Sequence, residues 1–141
     1  MTTPRTEVAG KCVPENSARL RILIAEDVAD CADSMALLLR LYGHEVEIAR
    51  SGPAALEKAK AYQPDVLLLD IGLPGMDGYE VANRLKKLNV NKKPVIIAVT
   101  GYGQEADRRH SAQSGIDLHL TKPVDPEHLE HLLRGMRAVV S

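Results

Sequence analysis

Phenylalanine and tryptophan are absent from this chain of 141 residues, and Tyr42, Tyr62, Tyr79 and Tyr102 are its only aromatic residues. Any core must therefore be aliphatic, and at 45% hydrophobic residues the chain has enough material for one. There is no excess of charge of either sign. Eighteen basic residues stand against 19 acidic ones, a net charge of -1, which gives no electrostatic argument for a nucleic-acid or anionic-membrane partner. Cys12 and Cys31 are the only cysteines and lack the spacing of a metal or redox motif. Both are expected to stay unpaired, as in a reducing compartment. No apolar run approaches the ~20 residues that cross a bilayer, and residues 1–18 contain no signal-peptide core. A cytoplasmic location is expected.

Residues 1–18 are rich in Thr, Pro, Glu, Gly and Ser without periodicity and read as a flexible leader. One compact domain is expected over 19–141. Within it, five short apolar segments (20–25, 44–49, 65–69, 95–99 and 116–120) alternate with stretches of helical spacing. The first, third and fourth contain near-continuous runs (ILIA, VLLL, VIIAV), the pattern of strands buried on both faces. The second and fifth alternate polar and apolar residues and read as edges.

Between them, Asp30 is a candidate cap for a first helix carrying Met35, Leu38, Leu39 and Tyr42, which Gly43 would end. A second helix runs through Ala55, Leu56 and Ala59, and a third through Val81, Ala82, Leu85 and Leu88. A fourth, over 104–114, has only Ala106 and Ala112 as apolar residues and so little area to bury. A fifth opens at Asp125-Pro126 and packs through Leu129, Leu132, Leu133 and Met136. Five strands alternating with five helices imply an α/β fold, a doubly wound parallel sheet in the order 2-1-3-4-5.

In such a sheet, ligands bind beyond the carboxyl ends of the strands. The residues there are Glu26 and Asp27 after strand one, Asp70 at the end of strand three, Thr100 at the end of strand four and Lys122 after strand five. Taken singly, each has a plain explanation as a cap, a strand end or a surface lysine. Three carboxylates around one point repel and raise one another's pKa. A hard divalent cation resolves that conflict, and Mg²⁺ suits oxygen ligands and keeps waters for an incoming phosphate.

Glu26-Asp27, the stretch Asp70-Ile71-Gly72-Leu73-Pro74-Gly75-Met76-Asp77-Gly78, Thr100-Gly101 and Lys122-Pro123 together resemble the response-regulator receiver domains of two-component signalling, over about residues 20–138. The resemblance implies the flavodoxin-like receiver fold, with Asp70 as phosphoacceptor. It implies Mg²⁺ held by Glu26, Asp27, Asp70 and the Gly72 carbonyl, with Glu26 standing where many relatives have Asp. Thr100 and Lys122 would contact phosphoryl oxygens, across a cis Lys122-Pro123 peptide. Chemically the roles cohere: an in-line carboxylate nucleophile needs positive charge on the equatorial oxygens of the transferring group.

The same resemblance implies a histidine kinase or histidine phosphotransfer protein as donor, and no enzymatic activity beyond the domain's own phosphorylation and dephosphorylation. Thr100 and His119, three positions before the lysine, would form the switch, with Tyr102 overhanging the phosphoryl group. A downstream protein would dock on the 104–114 helix, strand five and the last helix. Little sequence lies beyond that helix, so no DNA-binding output domain is expected, and the chain is expected to be a monomer or weak dimer. Three alternatives stay open. An aspartyl-nucleophile phosphatase would typically carry a second acid where this chain has Gly72. A flavin or dinucleotide module would want glycine in the acidic loop 26–30. A pseudo-receiver would keep the fold without phosphorylation.

Overall fold

The structure, a computed structural model, describes residues 19–73, 76, 78–88, 94–100 and 115–140, with side chains as far as 135. The leader, the 104–114 segment and Tyr102 lie outside the described residues. Five strands form one parallel sheet: β1 (Arg21–Ala25), β2 (Glu45–Ala49), β3 (Val66–Asp70), β4 (Val95–Thr100) and β5 (Leu118–Thr121), in the order β2-β1-β3-β4-β5. The described helices are α1 (Ala29–Leu41), α2 (Gly52–Tyr62), α3 (Gly78–Lys87) and α4 (Pro126–Val140), the last being the helix expected to open at Asp125-Pro126.

The continuous apolar runs have the physical cause expected of them. Successive side chains of a strand point to opposite faces. Ile22, Ile24, Val66, Leu68 and Ile97 pack with Ala36 and Leu39 of α1 and with Leu129 and Leu133 of α4. Their neighbours Leu23, Leu67, Leu69 and Ile96 pack on the other side with Ala55 and Ala59 of α2 and with Val81, Ala82 and Leu85 of α3. β2 and β5 are the edges, as their alternation requires.

Helix ends obey local chemistry. Ser51 caps α2 by accepting the Ala54 N–H. Asp125 Oδ1 accepts the Glu127 N–H at 3.1 Å at the start of α4. Gly43, just past α1, takes φ +101°, a conformation that a Cβ disfavours. One expectation is corrected. Asp30 does not cap α1: the helix starts a residue earlier, at Ala29, with Val28 at the N-cap and no side-chain cap. Asp30 lies instead in the first turn, where a negative charge favours the helix dipole.

At the amino end of the sheet, opposite the candidate site, the buried His44 accepts the Leu20 N–H at Nδ1 (3.2 Å). That bond leaves the ring proton on Nε2, which donates to the buried Glu130 Oε1 at 2.8 Å. Arg134 approaches the other oxygen of Glu130 at 3.3 Å, so α4 is tied by polar contacts to the start of β1 and β2.

Candidate functional site

Parallel strands ending at one level bring the residues after them to one rim, and the register puts Asp70 opposite Val99 and Thr100 opposite Thr121. Asp70, the last residue of β3, is buried, and its Oδ1 accepts the Gly72 N–H at 3.0 Å. Its Oδ2 lies 3.3 Å from Lys122 Nζ, which also stands 3.4 Å from Glu26 Oε1. The other oxygen of Glu26 accepts the Val28 N–H at 3.1 Å. Glu26 is buried and Asp27 exposed. One carboxylate oxygen from each of Glu26, Asp27 and Asp70 falls within 4.8 Å of the others. Three carboxylates thus converge, two of them in contact with the Lys122 ammonium, and form a donor set of hard oxygens that suits a divalent cation.

The electrostatics reflect that imbalance. Burial first, and then the charge of Asp70, push the Glu26 carboxyl above its ordinary value, while the Val28 N–H and Lys122 pull the other way. Burial alone would lower Lys122, but Asp70 and then Glu26 outweigh it and hold the ammonium above its ordinary 10.5.

Thr100 is buried, and its hydroxyl donates to the Leu120 carbonyl at 3.4 Å, a long and weak bond. The Lys122 N–H donates to the Thr100 carbonyl at 2.8 Å, and the Lys122-Pro123 peptide is cis. Gly72 is exposed on the loop after Asp70. That loop is pinned from beneath: Gly78 N–H donates to the Ile71 carbonyl, and a Cβ on Gly78 would come within 2.6 Å of Ile71 Cδ1 and 2.8 Å of Ile71 Cα. His119 pairs in register with Ala98 and is half-buried.

The structure therefore gathers Glu26, Asp27, Asp70, Thr100 and Lys122 on one rim. It leaves His119 one residue below Leu120, whose carbonyl holds Thr100. Two elements of the site escaped the sequence reading. The backbone N–H of Val28 on Glu26 carries no residue-type signal. The requirement for glycine at position 78 could have been suspected only from its place next to a helix start.

The family model for the response regulator receiver domain matches residues 22–134. The sensory transduction protein RegX3 of Mycobacterium bovis is 36% identical over 115 residues, which cover 82% of this chain and 49% of RegX3, so the chain spans about half of that relative. Among solved structures, a receiver domain protein from Methanospirillum hungatei JF-1 superposes with a TM-score of 0.77 at 32% identity, covering 85% of this chain and 94% of that one. The receiver domain of the sensor histidine kinase PA1611 of Pseudomonas aeruginosa PAO1 does so with 0.76 at 27%, covering 86% and 99%; that structure holds a magnesium ion in its active-site cleft. The fold, the acidic rim and these similarities define a signalling module of the two-component class. The chain belongs to the response regulator receiver domain family.

Proposed function

We propose that Asp70 accepts a phosphoryl group from a histidine kinase or histidine phosphotransfer protein, in the cytoplasm, and that the domain, spanning 19–141 after a leader of 18 residues, signals through protein contacts. The observation that carries this reading is the position of Asp70, with one oxygen on the Gly72 N–H and the other facing Lys122, inside the three-carboxylate cluster. Glu26, Asp27, Asp70 and the Gly72 carbonyl are the groups that would hold Mg²⁺. Such an ion supplies charge neutralisation for an incoming phosphate.

The residues of the chain have separable tasks. A carboxylate oxygen of Asp70 attacks phosphorus as the bond to the donor nitrogen breaks. Lys122 is placed to exchange its contact with Asp70 for one with a phosphoryl oxygen, giving positive charge where negative charge gathers. The Thr100 hydroxyl gives up little when it leaves the Leu120 carbonyl, because that bond is long, so it can turn to the phosphoryl group. Release of Leu120 would be felt by His119 beside it, and the partner surface would then be β5, α4 and the 104–114 segment. Tyr102 would shield the phosphoryl group. An aspartyl phosphatase is disfavoured because the exposed Gly72 offers no acid for a leaving group.

Incubation with acetyl phosphate and Mg²⁺ should label wild type at one site and leave Asp70→Asn unlabelled, by intact-mass measurement. Full labelling of the variant would remove Asp70 as acceptor.

A further inference from the structure

On the α1 and α4 side of the sheet, directly below the rim, lies a cavity of about 520 Å³. It is open to solvent along the exposed Cys31, and its volume falls in the range of small-molecule pockets. Met35, Leu38, Leu68 and Leu129 give it an apolar lining. The charge is confined to one end, where Glu26, Asp70 and Lys122 reach the wall. There the carboxylates already hold one ammonium, that of Lys122, at 3.3 and 3.4 Å. On the cavity wall two acids therefore face a single base.

We propose that this cavity binds small amphiphilic amines. The ligand ammonium approaches the Glu26 and Asp70 carboxylates from the cavity, beside the Lys122 ammonium that lies between them, and its apolar body rests against Leu38, Leu68 and Leu129. A carboxylate head would add a third negative charge at that end of the cavity, and a neutral head would leave the excess uncompensated, so charge complementarity selects the cation. Occupancy places the ammonium among the same oxygens that suit a divalent cation. An occupied cavity therefore excludes that ion and, resting here on the proposed role of Asp70, suppresses its phosphorylation.

The probes are phenylbutylamine, phenylbutanol and phenylbutyrate, three compounds of one shape that differ in head-group charge. Methyl NMR of the metal-free protein should show saturable shifts of Leu38, Leu68 and Leu129 with the amine. The alcohol and the acid should bind at least about tenfold more weakly. Saturating Mg²⁺ should displace the amine, and Glu26→Gln should weaken the amine while leaving the alcohol unchanged. Cys31→Trp, at an exposed position of α1 that lines the cavity, should abolish the shifts. Equal affinity for amine and acid, independent binding of amine and Mg²⁺, or amine binding indifferent to Glu26→Gln would each overturn the proposal. The two readings fail separately. Normal labelling of Asp70 by acetyl phosphate with no amine binding sinks the cavity site alone. Amine binding that displaces Mg²⁺ in a protein that acetyl phosphate never labels upholds the cavity and removes the phosphoacceptor.

Discussion

Glu26 shows how a single residue carries opposed demands. Its side chain is buried beside another carboxylate, so the folded protein holds its proton to higher pH than the unfolded chain does. More protons bound in the native state means that stability falls as pH rises, from the ordinary 4.5 through the raised folded value. In the presence of chelator, thermal melts of wild type from about pH 4 to about pH 7 should therefore lose more stability than those of Glu26→Gln, which has no proton to release. Parallel curves for the two proteins would show that Glu26 is not under this strain. Lys122 acts with the same sign in a different window: its pKa is raised as well, so its contribution is complete below 10.5 and lost only as pH rises above that value.

Among the elements, the turn from β3 into α3 decides where the acceptor stands. Gly78 packs so closely that an added Cβ would meet the Ile71 side chain at 2.6 Å, the Ile71 backbone at 2.8 Å and the Asp70 carbonyl at 3.2 Å. A side chain can move aside, but the backbone that carries Asp70 cannot yield without displacing the site. Gly78→Ala should cost about 1–3 kcal/mol in urea unfolding, the usual penalty of overpacking. It should also slow acetyl phosphate labelling, whereas loss of stability with an unchanged labelling rate would mean that the loop adjusts elsewhere. The helix starts teach a related lesson. Ser51 and Asp125 cap as their residue types suggest, while Asp30 does not, because α1 begins one residue ahead of it.

For the whole molecule, the acidic rim sets site and fold against each other. Three carboxylates gathered at one point with one ammonium on two of them repel in the metal-free state, and anything that binds only the folded form stabilises it by mass action. Asp70→Asn removes one of those charges with little change of shape. By calorimetry it should melt at the same or a slightly higher temperature than wild type in chelator, and it should gain less from added Mg²⁺. A variant that melts well below wild type without metal would show that the Asp70–Lys122 contact outweighs the repulsion. At the far end of the sheet, the His44–Glu130 pair holds α4 against β1 and β2 independently of the rim, so perturbation of the site leaves that anchor in place.

Strand number, the buried and edge strands and the order of the sheet were all readable in advance, because a strand covered on both faces must be apolar at every position and an edge need not be. Glu26, Asp27, Asp70, Thr100 and Lys122 were readable too, since parallel strands of similar length end at one level and deliver their last and next residues to one rim. Distances are another matter. That Lys122 reaches both Glu26 and Asp70, that a backbone N–H holds Glu26, and that Gly78 must lack a side chain depend on where separate elements come to rest against one another. His44 and Glu130, 86 positions apart, carry no shared local signal. The cavity beside Asp70 is likewise a product of packing: its lining comes from α1, α4 and the strands between, segments far apart in the chain, and only their placement against one another leaves the space.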